Sequence, residues 1–458
     1  MRKLKLLALG LISLLAVNVY AAEVDKADKL VDCMTNVTDT VCTLTADVEL
    51  PASLEVGKKV TLDLNGQKIT PAATFAGDSL IIVLHGGELT IEDSKGNGEI
   101  NTGINEDVFV GIKMTKAGYD TSKVAALIVN SGTIKGYDYG ISGNGNPDRI
   151  NTSIVINGGT VAALNEKGTG IFQPQSGSVE INGGTITGGT GIEMRSGELV
   201  VKGGNITGTY KPVSSIANGY GTTTLGAGIA IAQHTTKKEI SVSVAGGEIK
   251  GYSALYQSNP QEHDQDTLKL VEIEITGGNF EVINDGKEAV HSENYEGFIS
   301  GGSFSTDIDE KDIAKDLEEV VQDGVHYVGT KNKINIVKEG EGAVTANFTE
   351  AIEGQSVKLT VTPAEGYKIK DVIVTVDGKE IEYKDYTFTM PNDEVEVKVT
   401  FEKEEVKAET PKDETVSSET EKLPENPKTN DAIALGVTVL GISLIGVVST
   451  LYIKKKYN

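Results

Sequence analysis

Four side chains on neighbouring repeats of this chain are of the kinds that sugar-cleaving chemistry employs: Glu193, Arg195, Tyr256 and His291. A carboxylate and a guanidinium two residues apart share one face of a strand. A His or Tyr on a later repeat could move a proton. All four belong to rows set by a recurring Gly-Ile pair, at 111–112, 140–141, 170–171, 191–192 and 228–229, which weakens to Ala254-Leu255 and Ala289-Val290. If the Ile points inward, its successor points outward. That places Lys113, Ser142, Phe172, Glu193, Ala230, Tyr256 and His291 in one outward row, and Thr115, Asn144, Pro174, Arg195, Ala232, Ser258 and Glu293 in the next. A calcium-dependent lyase or a glycosidase needs clustered carboxylates, and neither row supplies an Asp cluster. No catalytic residue is therefore assigned. The rows are read as a solvated strand face, with Phe172, Glu193, Arg195, Tyr256 and His291 as the positions where a ligand would lie.

Other chemistry-bearing residues sit in an insertion at 258–267, which carries Glu262, His263, Asp264 and Asp266. Adjacent residues alternate in direction and converge poorly on one ion, so a solvated loop is preferred and no metal or cofactor is expected. A second insertion, 210–226, is rich in Gly, Ser and Thr. Long loops on a rigid scaffold are where binding tends to reside. Cys33 and Cys42 are the two cysteines; they are read either as a disulfide or as a pair of small buried thiols. A net charge of −24 argues against a nucleic-acid partner, since no basic stripe exists to neutralise phosphates. With 53 Gly, no Trp and 5% aromatic residues, the core must be Ile, Val and Leu on short strands, and large sugar-stacking platforms should be scarce.

The elements that position these rows are marked by a Gly-Gly turn followed by a β-branched strand. It reads NSGTIKG from Asn130, NGGTVAA from Asn157, NGGTITG from Asn182 and KGGNITG from Lys202. It returns as AGGEIKG from Ala245, TGGNFEV from Thr276 and SGGSFST from Ser300, with an irregular early copy at His85. Self-similarity at this spacing marks a repeat architecture. One turn reads strand, corner, strand, Gly-Gly corner, strand, so Ile and Val can stack inward coil upon coil. The expected fold is all-β: a parallel β-helix solenoid over 51–306, of roughly nine coils at ~4.8 Å each, in preference to a sandwich of antiparallel strands. Residues 22–50 are read as its N-terminal cap, with a short amphipathic helix carrying Val24, Ala27, Leu30, Val31 and Met34. Residues 307–332 are read as a distal cap, with Ile313, Leu317 and Val321 at helical spacing. Alternating strands with an Asp377-Gly378 turn form a small β module over 333–402. Residues 403–425 are polar and acidic and form a solvated stalk.

Both ends carry targeting signals. Arg2, Lys3 and Lys5 precede an apolar stretch and a small-residue site, giving a signal peptide over 1–21 with cleavage after Ala21. At the other end Asn426, Pro427, Lys428, Thr429 and Asn430 precede an apolar run at 432–453 and a basic tail at 454–458. That run is long enough to span a membrane as a helix, with the lysines on the cytoplasmic side.

Three resemblances follow from these stretches. The GG-T-I-x-G turns, the opening LDLNGQKIT and the closing GGSFSTD resemble the pectin-lyase-type right-handed parallel β-helix of bacterial surface proteins, a fold that hosts lyases, hydrolases and adhesins alike. The stretch from GQSVKLTVTPAEGYKIKDVIVTVDG to YTFTMPNDEVEVKVTF is similar to the divergent internalin-type B-repeat, a spacer or weak binding unit in that family. The C-terminal pattern resembles a Gram-positive cell-wall sorting signal, although Asn430 stands where Gly is usual. That resemblance implies that a sortase cysteine attacks the Thr429 carbonyl and that peptidoglycan then receives the acyl group; a simple tail anchor is the alternative. Together they imply an extracellular, wall-anchored protein of a Gram-positive bacterium. It is read as a non-catalytic adhesin that contacts host or bacterial glycan or protein. A polysaccharide lyase or glycosidase is the second reading, and a structural spacer the third.

Overall fold

The computed structural model describes residues 21–405 apart from 37, 39, 147, 148, 219 and 220. The expected signal peptide up to residue 20, the stalk from residue 406 on, the sorting motif Asn426, Pro427, Lys428, Thr429 and Asn430, the apolar run 432–453 and the basic tail 454–458 lie outside the described residues, while Lys403, expected in the stalk, ends the strand Val395–Lys403. Among the described residues no helix is long and apolar enough to cross a membrane.

The chain is all-β and winds through three rows of parallel strands, each strand pairing with the one a full turn later. Strands such as Val110–Met114, Tyr139–Ser142, Thr169–Gln173 and Thr190–Met194 make the first row. Its inward positions are in strict register: Ile81, Ile112, Ile141, Ile171, Ile192, Ile229, Leu255 and Val290. All eight are buried. The second row runs from Ala21–Val24 and Val41–Leu44 through Gly177–Ile181 and Gly197–Val201 to the start of Val271–Val282. The third row holds the strands that follow the Gly-Gly corners, such as Thr160–Ala163, Thr185–Gly188 and Asn205–Gly208. This register is that of a parallel β-helix, and the antiparallel sandwich does not apply to it. Removing each stacked Ile from water contributes about 1.5–3 kcal/mol, so the ladders are the main source of cohesion.

The two glycines of a corner serve different ends. Gly184 has φ +81°, a left-handed conformation that Gly alone adopts without strain. Its neighbour Gly183 has no such φ; a Cβ there would lie 2.6 Å from the Asn157 carbonyl oxygen of the coil below. Outside the corners, Asn182 donates to Asn157 and Asn157 to Asn130, each at 2.9 Å, so the amides form a ladder along the rod.

The N-terminal helix is Ala27–Thr35, shorter than its apolar spacing implied. Val24 instead ends the strand Ala21–Val24, and Val31 is exposed. Parallel rungs therefore begin inside the segment expected to be a cap. The helix buries Leu30, Cys33 and Met34 against the solenoid core and lies on Val48–Val56, the strand whose open edge needs cover. Cys33 and Cys42 are bridged, tying this helix to the second rung.

The distal end departs from the helical expectation. Glu310–Asp312 forms one 3-10 turn, Ile313 bridges to Ile299, and Glu319–Gln322 pairs with Val325–Val328 as an antiparallel hairpin. Val328 and His326 in turn pair with Gly302 and Phe304 of the last rung. The decisive local signal is Asp323-Gly324, both at positive φ, which is the chemistry of a two-residue hairpin turn. Val321, counted as an inward helical residue, is exposed.

Beyond it, Asn332–Glu339, Tyr367–Val376 and Val395–Lys403 build one sheet of the small module, and Gly342–Ala346, Ser356–Pro363 and Thr387–Thr389 another. They enclose a separate core around Val357, Phe388, Val397 and Phe401. Gln322 of the hairpin bonds both backbone groups of Ser356, at 2.9 and 3.1 Å, joining module to solenoid.

Candidate functional site

The first-row strands bring Lys113, Ser142, Phe172, Glu193, Ala230, Tyr256 and His291 into one register along the rod. They do not share one environment. Glu193 is 2% exposed and Arg195 fully buried, whereas Phe172, Tyr256 and His291 are only partly covered. The expectation of a solvated face is thus corrected at Ser142, Glu193 and Ala230 of this row and at Thr115, Arg195, Ala232 and Ser258 of the next, all buried. Over Glu193 and Arg195 the cover is the 210–226 insertion: its strands Ser214–Asn218 and Gly221–Leu225 pair antiparallel and fold back over the row.

Beneath that hairpin the Arg195 guanidinium binds the Glu193 carboxylate directly. Arg195 also donates to Thr224 Oγ1 at 2.8 Å and to the Ala232 carbonyl at 3.2 Å. Glu193 accepts from the Thr224 amide at 2.8 Å and from the Thr169 hydroxyl at 3.3 Å. Burial pulls Arg195 down to about 9, which still leaves it charged at neutral pH. The pair is a paired internal charge that fastens the hairpin. Neither residue lines either of the two grooves that flank the hairpin.

On the N-terminal side of the hairpin lies a groove of about 570 Å³. Its floor is aromatic: the Tyr139 and Phe172 rings are 5.2 Å apart, and His234 meets Phe172 edge-on at 6.1 Å. Phe109 extends the series, 6.5 Å from Tyr139. Asn144, Asn146, Pro174 and Thr235 line one part of the groove, and Thr222 and Thr223 of the hairpin another. His234 accepts the Thr222 amide on Nδ1 at 3.0 Å, so its proton sits on Nε2. Burial and then the charge of Arg195 hold His234 down to about 4, so it is neutral at pH 7. Burial, followed by Asp138, raises Tyr139 above the usual phenol range.

On the other side of the hairpin a smaller groove of about 110 Å³ is lined by Val213, Tyr252, Tyr256, Lys287, Glu288 and His291. Tyr256 stacks on His291 at 4.6 Å, and His291 Nδ1 lies 2.8 Å from Glu288. One carboxylate lines this groove, where glycoside hydrolysis ordinarily uses two. Phe172 on one side and Tyr256 with His291 on the other are therefore not brought together.

The 258–267 insertion turns its polar groups to structural use. Asp264 caps the helix Gln265–Leu268 by accepting the Thr267 amide at 2.8 Å, and His263 lies 3.0 Å from the His234 carbonyl. Among the described residues no group of His, Cys, Asp and Glu is arranged to hold a metal ion.

Tyr139 and His234 escape a reading by periodicity. Tyr139 stands two residues before Ile141, where strict alternation counts it inward, yet its ring lines the groove. His234 follows the strand Ala227–Ile231 in a loop with no repeat signal.

Comparison with known proteins reaches one part of the chain. No curated protein and no solved structure matches it. Residues 332–405, the small module, match the family described as the divergent InlB B-repeat domain.

Proposed function

We propose that this chain is a cell-surface binding scaffold of a Gram-positive bacterium, and that its coil face holds a ligand without cutting it. The observation that carries the reading is the enclosure of Glu193 and Arg195. The acid and base that adjoin on the outer face are spent on fixing the 214–225 hairpin, and the groove left beside them is floored by Tyr139 and Phe172. The B-repeat-like module supports surface association. Export through the 1–21 signal, covalent attachment at Thr429 by a sortase to peptidoglycan, and passage through a membrane-spanning 432–453 complete the proposal on sequence grounds. The coil is taken as right-handed, the hand of nearly all parallel crossovers.

The test is a paired screen of the purified protein. A glycan and host-protein array reports binding, and a polysaccharide panel reports new reducing or unsaturated ends. Binding without cleavage is expected. Release of either kind of end would establish the lyase or glycosidase instead; silence in both screens would leave the chain a spacer.

A further inference from the structure

Resting on that reading, we infer that the groove floored by Tyr139 and Phe172 binds a short, uncharged saccharide. Two features choose this ligand class. The first is the floor. Paired aromatic rings 5.2 Å apart offer an apolar surface to the C–H face of a pyranose. The second is the charge of the wall. Every described residue lining the groove is uncharged in type apart from His234, whose Nδ1 is engaged by the hairpin. That is unusual in a chain with 24% charged residues and a net charge of −24.

An anionic sugar would lose its hydration with no Lys or Arg among these described lining residues to replace it, against the repulsion of the whole molecule. A cation would be drawn to the protein but would find no carboxylate among these lining residues. Hydroxyl groups, in contrast, meet the side-chain amides of Asn144 and Asn146 and the exposed hydroxyls of Thr235 and Thr236. The volume of about 570 Å³ falls in the ~300–1,000 Å³ range of small-ligand clefts and suits a short oligosaccharide.

The hairpin also takes part in recognition. Gly221 and Thr222 accept from the Gln261 amide, and Thr222 donates to His234, so this wall is held against the coil from two sides.

The experiment uses the full-length chain in mild detergent. Calorimetric titration is run with neutral gluco-, galacto-, manno- and N-acetylated oligosaccharides, and with sialylated, sulfated and uronate-containing counterparts of equal length. At least one neutral series is expected to bind, and its charged counterpart to bind at least ten-fold more weakly. Phe172→Ala is expected to weaken the neutral ligand at least ten-fold, and Phe172→Tyr to restore most of it, with circular dichroism unchanged in both. Preference for the charged series, no binding in either series, or neutral binding indifferent to Phe172→Ala would overturn the inference. Cleavage of the bound sugar would instead sink the scaffold reading and leave the ligand class standing.

Discussion

Glu193 and Arg195 show how a residue can be placed correctly and still be misread. Their row was legible, because the Gly-Ile pairs fix which side chains stand above which. Their exposure was not, because it depends on where an insertion some twenty residues later comes to rest, and no periodicity encodes that. The consequence is energetic. Glu193→Ala leaves a buried guanidinium without its carboxylate, a loss of about 3–5 kcal/mol. Replacing both members, as Glu193→Leu with Arg195→Met, removes the charge along with its partner and should recover most of that loss. Thermal melts with limited proteolysis of the 214–225 hairpin test this. The single variant should melt earlier and be nicked in the hairpin, and equal damage in both variants would refute the account. Phe172, Tyr256 and His291 were legible by the same row. Tyr139 and His234 were not, since alternation counts Tyr139 inward on its strand and His234 lies in a loop, and so the aromatic groove floor was not legible.

At the scale of elements, the Gly-Gly corners and the Asp377-Gly378 turn could be read directly, because a turn needs particular backbone angles and few residues supply them. The distal cap was misread because Ile313, Leu317 and Val321 fit helical spacing while Asp323-Gly324 asked for a hairpin, and the turn prevailed. One residue in that cap carries a pH dependence. Asp312 is 3% exposed, and burial raises its carboxyl to about 6, with Asp309 and Glu296 adding repulsion and Lys311 and His291 opposing. The folded chain therefore keeps this proton at pH values where the unfolded chain has lost it. Its contribution to stability is full below pH ~4 and is lost as the pH rises through about 6. Asp312→Asn is accordingly expected to raise stability by roughly 1–3 kcal/mol at pH 7 and to change little at pH 4. Melting curves at the two pH values decide it; an equal shift at both would dissociate the effect from ionisation.

For the whole molecule, the repeat architecture was open to reading because each coil states the same requirement again, so errors at one coil are outvoted by the others. The two ends are of a different kind: the address and attachment proposed for them rest on sequence pattern, which the folded coil does not express. There the expected outcome is that Thr429→Ala moves the protein from the wall fraction to the membrane fraction of the cell. Unchanged recovery with the wall would remove the sortase assignment. The 214–225 hairpin has one more effect at this scale. Standing over the coils of Glu193 and Ala230, it divides the rod's aromatic face into two short bays. On the proposed saccharide reading, a long polymer would not lie along the whole coil face, and a single chain would grip only a few sugar units. Firm attachment would then come from crowding: many copies side by side, each engaging a neighbouring branch of one coat, in the manner of hook-and-loop cloth.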